Sequence, residues 1–345
     1  MQNDQAFLEQ AGWTKAARYD FPADWSTRSF ARLTRADDRS AILISSVPDS
    51  DPRALAGHKI KDFIILSKFL RSLSIHAPEI YAVDEAQGFL LVEDFGDYSL
   101  HHAFIDSLPS LLNHYSKAAD ILLTLREAGT ADIPSTTLNY FETHIYKGRC
   151  RLWDWYIPAV YKQNMDDFKS ECLKTLDEIE QSIPKAKNIF LHGDFHPHNL
   201  MILKNEDIGV LDFQGGMIGP VAYDVVNLLL DARRKVQDDI FEAIQVKMMA
   251  GLSKDEQDIY QAHFVLRSFD FHARVLGQAI KLALNGKDKL LGFVPLLEHY
   301  CRQDLAQPLL RPVQKIFETY KIDLSQKFRT SDILTAPNFI AKDAF

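Results

Sequence analysis

Cysteine is scarce in this chain. Only Cys150, Cys172 and Cys301 occur in 345 residues, an odd and widely spaced set. That excludes a disulfide framework and offers no metal-ligand spacing, so free thiols in a reducing compartment are expected. Long apolar runs are lacking as well. None approaches the roughly 18 residues needed to span a bilayer. The opening residues, Met1-Gln2-Asn3-Asp4-Gln5, carry neither the basic nor the apolar region of a signal peptide. A cytoplasmic protein with no membrane partner is the expectation. Positive charge is in deficit, with 39 Lys and Arg against 47 Asp and Glu, a formal net charge of −8. This argues against a nucleic-acid partner, which calls for a basic footprint. A small anionic ligand stays possible, because local charge can oppose net charge.

What is present is ordinary globular material. The hydrophobic fraction is 46% and the charged fraction 25%, which excludes disorder as the main state. The length suggests about two domains, and no internal repeat appears. Residues 4–12 read as a short helix. Ser29–Arg35 and Ser40–Ile44 read as a hairpin around a turn at 36–39. Ile60, Phe63, Ile64, Phe69, Leu70 and Leu73 recur at helical spacing, giving a helix over about 59–74. Glu79–Val83 and Phe89–Phe95 make two more strands. Residues 1–95 therefore read as an antiparallel sheet with one packed helix, and residues 96–345 as mostly helical, an α+β protein. Helices are expected over 111–125, 138–182, 221–232, 236–250 and 255–285. A short strand at 189–191 and a hairpin of 200–203 with 208–211 interrupt them.

The chemistry concentrates in His192-Gly193-Asp194-Phe195-His196-Pro197-His198-Asn199 and, after the hairpin, in Asp212-Phe213-Gln214. Gly193 and Pro197 keep the first stretch from being a helix interior. A hairpin can return Asp212 to the loop that holds Asp194 and Asn199, so two carboxylates and one amide oxygen would share a site. Phosphoryl transfer needs that inventory: a carboxylate to orient the acceptor hydroxyl and take its proton, and oxygen ligands for Mg2+ on the phosphates. The spacing matches the kinase pattern D-x-x-x-x-N followed by D-F-G, with Gln214 in place of the glycine.

The stretches His192–Met201 and Val210–Phe213 resemble the signature of the aminoglycoside phosphotransferase family. Within it the chain is most similar to the branch that phosphorylates the anomeric hydroxyl of N-acetylmuramate and N-acetylglucosamine. Ser29-Phe30 with Arg32 and Arg35, Gln87–Asp94, Gly219-Pro220, Tyr223-Asp224 and Leu228 carry that likeness. The resemblance implies a bilobal, protein-kinase-like fold that uses ATP and Mg2+, with a nucleotide-binding lobe at 1–95, a catalytic and acceptor-binding lobe at 96–345, and a cleft between them. It makes Asp194 the catalytic base and Asn199 and Asp212 the Mg2+ ligands. Glu93–Gly96, with Glu93, Asp94 and Phe95, becomes the hinge against the adenine. Ser26–Phe30, with Ser29 and Phe30, becomes the loop over the triphosphate, and Arg32 joins the nucleotide site. His192, His198, Gln214, Asp224 and Asp231 become supporting or acceptor-pocket residues.

Two features depart from the kinase pattern. The phosphate loop has no glycine. The third-strand lysine and its helix glutamate are absent, since the matching positions are Ile44 and Ile65. Arg32, Arg35, Lys59 and Lys61 are candidates for the missing cation.

Alternatives stand beside each reading. Asp224 and Asp231, seven apart, would share one helix face, with Asp224 anchoring the catalytic loop or capping the helix and Asp231 lining the acceptor pocket or exposed. Arg233-Arg234 could meet an anionic sugar substituent or lie in solvent. Trp153, Trp155 and Tyr156 could stack on a sugar or pack in the core. His192, His196 and His198 could belong to a metal hydrolase. A nucleotide-binding pseudokinase would explain the missing lysine. The acceptor could also be an aminoglycoside, a choline-like alcohol or an amino-acid alcohol.

Overall fold

A computed structural model describes residues 4–22, 28–54, 56–57, 59–130, 132–162 and 165–324. The expected phosphate loop at Ser26–Phe30 lies partly outside these residues. The chain forms two compact units, one of residues 1–138 and 189–218, the other of residues 139–188 and 219–345. The units do not divide at residue 95, because the two helices after it and the polar loop group with the sheet.

In the first unit, α1 (Gln5–Gln10) leads into a five-stranded sheet ordered β1-β2-β3-β5-β4. Its strands are β1 (Ala17–Asp20), β2 (Ser29–Thr34), β3 (Ser40–Ser45), β4 (Ile80–Asp84) and β5 (Phe89–Glu93), with α2 (Ile60–Ser72) between β3 and β4. Every neighbouring pair is antiparallel. Alternation sorts the side chains. Ala31, Leu33, Ala41, Leu43, Phe89 and Leu91 bury one face against Phe7, Leu8 and Trp13. Phe30, Arg32, Ile42 and Ile44 therefore belong to the opposite face. Strand β1 escaped the sequence reading because all four of its residues are exposed, leaving no apolar alternation to detect.

After β5 come α3 (Leu100–Ile105) and α4 (Leu111–Ala128). Further along, β6 (Leu138–Asn139) and β7 (Asn188–Leu191) flank an insertion, and the hairpin β8 (Leu200–Ile202) and β9 (Ile208–Val210) pairs Leu200 with Val210. This hairpin is bound to the rest of the unit by backbone. Val210 N–H donates to His76 O at 2.8 Å, Ile202 N–H to Tyr98 O at 2.9 Å, and His101 N–H to Pro197 O at 3.1 Å. On the same hairpin Gly209 lies under Phe95, whose ring would stand 2.6 Å from an added Cβ.

The second unit is helical. The aromatic stretch expected as one or two helices contains two π-helical turns, Phe141–Tyr146 and Leu152–Tyr156, then α5 (Ile157–Tyr161) and α6 (Asp166–Ser182). After the short strand β10 (Met217–Pro220) come α7 (Ala222–Leu229), α8 (Asp238–Met249), α9 (Lys254–Leu284), α10 (Val294–Leu305) and α11 (Arg311–Thr319). Helix α9 starts at a capping box in which Ser253 and Glu256 satisfy each other's backbone N–H groups. Its Gly277 admits the Arg151 carbonyl, which an added Cβ would meet at 2.1 Å. Trp153, Trp155 and Tyr156 are buried in the core of this unit, so their aromatic faces serve packing and not sugar stacking.

No helix among the described residues is long and apolar enough to cross a membrane. Cys150, Cys172 and Cys301 are free thiols. Burial holds all three above the ordinary thiol range, Cys150 at about 11, which keeps them protonated and unreactive.

Candidate active site

The polar loop after β7 is clasped from within. His192 is buried. Its Nε2–H donates to Leu211 O at 2.9 Å, and its Nδ1 accepts from Asp194 N–H at 3.3 Å. Burial pushes this imidazole down in pKa, against the pull of Asp194 and Asp212, so it is neutral, as one donor and one acceptor nitrogen require. From the other end, Leu211 N–H donates to Asn199 O at 2.9 Å. The residue before Asp212 is thus tied to both ends of the loop. Gly193 sits at φ 85°, where an added Cβ would stand 2.8 Å from Met217 Cε. Only glycine takes this turn without strain.

These ties set the chemistry at the surface. The Asp194 side chain is 52% exposed. Asn199 turns its amide N–H2 to Asp194, donating to the backbone O at 3.0 Å and to Oδ2 at 3.3 Å. His196 Nε2 lies 3.2 Å from the same carboxylate. Asp212 is also exposed and sits at φ 61°. This left-handed conformation is uncommon outside glycine, asparagine and aspartate, and it aims the side chain away from the strand it follows. Buried Gln214 donates Nε2–H to Asp212 Oδ1. Both Asn199 donors and one Asp212 oxygen are therefore engaged, which leaves Asn199 Oδ1 and Asp212 Oδ2 as the oxygens that could hold a cation. Hard oxygen donors of this kind suit Mg2+, which binds through one or two carboxylates and keeps several waters.

The histidines do not form a metal site of their own. His192 is held by backbone, His196 faces Asp194, and His198 stacks on His101 with ring centroids 3.6 Å apart. Among the described residues no three His, Cys, Asp or Glu side chains come together to hold a metal.

Of the residues assigned to the nucleotide, Ser29 and Phe30 open β2 opposite Ser45 and Ile44. Arg32 grips the segment after β5: its Nε lies 2.6 Å from Asp94 Oδ2, its Nη2 donates to Asp94 Oδ1 at 3.0 Å, and its Nη1 to Asp97 at 2.8 Å. Its two Nη groups, one on Asp94 and one on Asp97, make it a brace for Asp94–Asp97. Glu93 accepts from Glu79 N–H at 3.1 Å, and Asp94 Oδ1 also accepts from Gly96 N–H at 2.9 Å. Arg35 lies over Trp13 and donates to Gly12 O. Arg32 and Arg35, both candidates for the missing cation, are thus committed elsewhere.

One buried cation had no place among the sequence assignments. Arg28 is 8% exposed, and burial pushes its guanidinium down in pKa against the longer-range pull of Asp212, Asp62 and Asp49. Asp62 is buried in the first turn of α2 and accepts from Gly57 N–H at 3.0 Å. Asp49 caps α2 by accepting from Ile60 N–H at 2.8 Å and Lys61 N–H at 3.0 Å. The start of α2 lies directly on the Asp212 segment: Phe63 packs on Phe213 with centroids 4.9 Å apart, and a Cβ on Gly57 would stand 3.3 Å from Gly215 Cα. The signal that could have found Arg28 is its place two residues before Phe30, on the same side of the strand.

The two aspartates expected at the acceptor pocket, Asp224 and Asp231, belong to the second unit. Asp224 is the third residue of α7 and fully buried, so it is not the helix cap. Asp231 lies beyond the helix, which ends at Leu229, so the two do not share a helix face. Asp231 is buried and pairs with Arg233 at 2.6 Å, which removes the exposed alternative. Arg234 is exposed.

Residues 20–250 match the phosphotransferase enzyme family. A Caulobacter vibrioides protein named N-acetylmuramate/N-acetylglucosamine kinase is 26% identical over 91% of this chain and 95% of its own. A Pseudomonas aeruginosa protein of the same name is 25% identical over 86% of this chain and 87% of its own. Among solved structures, a thermostable mutant of an aminoglycoside phosphotransferase, in ternary complex with AMP-PNP and hygromycin B, aligns with a TM-score of 0.54 at 13% identity, covering 89% of this chain and all of its own. That likeness establishes a kinase-like α+β fold.

Proposed function

Because this chain belongs to the phosphotransferase enzyme family and is a small-molecule kinase, we propose that it transfers the γ-phosphoryl group of ATP to the anomeric hydroxyl of an N-acetylated amino sugar, N-acetylmuramate or N-acetylglucosamine, in the cytoplasm. The observation that carries the reading is the arrangement of the loop at 192–199 with Asp212. Two exposed carboxylates and one amide oxygen are aimed by buried neighbours. The acceptor follows the relatives' names over nearly the full length of the chain.

Asp194 orients the acceptor hydroxyl and accepts its proton. Asn199 holds Asp194 in place through its amide N–H2, and His192 fixes the loop backbone. Asn199 Oδ1 and Asp212 Oδ2 would hold Mg2+, which supplies charge neutralisation on the transferred phosphoryl group. Gln214 keeps Asp212 turned toward that role. The segment Glu93–Gly96 presents backbone to the adenine edge, and the Arg32 brace keeps it in one conformation.

The test is ADP release with Mg-ATP across N-acetylmuramate, N-acetylglucosamine, aminoglycosides and choline-like and amino-acid alcohols, with the product followed by phosphorus NMR. Turnover of an N-acetyl sugar with an anomeric phosphate resonance is the expected result. Turnover only of an aminoglycoside or an alcohol would replace the acceptor and leave the kinase standing. No ADP release with any acceptor would favour the pseudokinase.

A further inference from the structure

The ion pair at the centre of a protein kinase joins a lysine on the third strand, which contacts the phosphates, to a glutamate on the following helix. Here the corresponding side chains are Ile44, buried, and Ile65. A kinase site without a phosphate cation is electrostatically incomplete, since Asp194, Asp212, Asp62 and Asp49 all add negative charge around the place where a polyphosphate would bind.

The register of the sheet shows another route to the same place. Phe30 pairs with Ile44 across β2 and β3. Directly paired residues point to the same face, and so do residues two apart. Arg28 therefore starts on the face of Ile44, one pleat further along. On α2, Asp62 precedes Ile65 by three residues, which places it on the same side of the helix, one turn earlier. Both positions are ionisable and both are buried. The charge of Asp212 also pulls on Arg28. Burial pushes the Arg28 guanidinium down in pKa and the three carboxylates only partly offset that cost, so a further anion would improve its setting, and the guanidinium brings two or more donors to bear on an incoming phosphate.

We propose that Arg28 is the phosphate-binding cation of this enzyme, paired with Asp62, so that the cation has moved from β3 to the residue before β2 and the acid one turn back along α2. This rests on the kinase reading above and names the residue that completes it. With three acids around one base, the cluster keeps a net negative charge. Arg28 thus feels the charge of both Asp212 and the acid on α2, and with Asp212 holding Mg2+ a nucleotide phosphate would be its stronger partner.

The test is equilibrium binding by titration calorimetry, with Mg-ADP and with adenosine as separate probes. Arg28→Gln should lower Mg-ADP affinity about tenfold to a hundredfold, the range for losing a charged hydrogen-bond partner, with adenosine affinity within about twofold of wild type. Arg28→Lys should recover most of the loss, because the charge is kept and only the fork geometry is gone. Unchanged Mg-ADP affinity in Arg28→Gln, or equal losses for both probes, overturns the assignment. If Arg28→Gln does not fold, Arg28→Lys carries the same test: a several-fold loss for Mg-ADP alone supports the assignment, and no loss or an equal loss for adenosine ends it. A wild-type protein that binds adenosine but gains nothing from the diphosphate also ends it. A wild type that binds neither probe removes the kinase reading itself.

Discussion

Two clusters of charge in this molecule look alike on a contact list and differ in what their charges face. In the second unit, Arg149 donates to Asp270 through Nε at 2.8 Å and Nη2 at 3.0 Å, and reaches Asp177 at 2.9 Å and Glu180 at 3.1 Å. Arg267 is buried completely and pairs with Glu180 and Asp270, while its guanidinium lies over Tyr140. Every charge there faces a protein charge, and the two Arg267 nitrogens left without an acceptor, Nε and Nη1, are sealed inside. In the loop at 192–199 and around Asp212 the anchoring groups are buried and the acting groups are exposed. Gln214 and His192 are inside, Asp194 and Asp212 outside. A closed network specifies a fold, and an aimed but open set of oxygens specifies chemistry. The difference lies in which atoms remain for something else to use.

The sharpest way to break this contrast is to neutralise one carboxylate of each kind. Asp194→Asn should lower turnover about a hundredfold to ten-thousandfold, the usual weight of a general base, with an unchanged thermal melt. Asp212→Asn should do the same through the loss of a Mg2+ ligand, with its residual rate rising as Mg2+ is raised. Near-wild-type turnover in Asp194→Asn would mean that the open set is not the reacting one.

The counterpart in the closed network is Asp270→Asn. It leaves Arg149 and Arg267 with one fewer charge in a buried setting, which costs about 3–5 kcal/mol when a buried pair is broken. Urea unfolding should show that loss as a lower midpoint with an unchanged slope. Under conditions where the variant is fully folded, its turnover should stay within a few-fold of wild type. A stable but inactive Asp270→Asn would erase the distinction between the two clusters.

How much of this was legible beforehand follows the same division. The loop at 192–199 and Asp212-Phe213-Gln214 could be read because their roles are encoded by short spacings along the chain. Ser29–Thr34, Ser40–Ser45 and Ile60–Ser72 could be read because their periods match the strand and the helix. Arg28 could not, because the acids whose charge it feels, Asp49, Asp62 and Asp212, are distant in sequence and are brought toward it only by the sheet register and the seat of α2 on Phe213. The π-helical turns at 141–146 and 152–156 were also out of reach, since a wider turn scrambles the 3.6-residue period. Asp224 and Asp231 looked like one helix face only because nothing local marks the end of α7 at Leu229.

The finest test of the closed region uses pH. His263 is buried, with Nε2 2.9 Å from Pro184 O. Burial pushes its pKa down, Pro184 O and Glu180 pull it up, and Arg267, a member of the network, pushes it further down. In the folded protein His263 is therefore neutral in a range where the unfolded chain, with a histidine pKa of about 6.5, is already protonated. The unfolded state then binds more protons, so stability rises with pH through that window. The contribution is fully present above about pH 6.5 and is lost as pH falls from there toward the folded value, by at most about 1.4 kcal/mol per pH unit for one group. His263→Gln, which cannot be protonated, should flatten the fall in unfolding free energy between about pH 6.5 and 5 relative to wild type, while leaving the pH dependence of turnover unmoved. An unchanged slope in His263→Gln would show that burial, with the Arg267 charge beside it, does not hold this histidine neutral. A shifted pH–rate profile would show that the closed region reaches the chemistry after all.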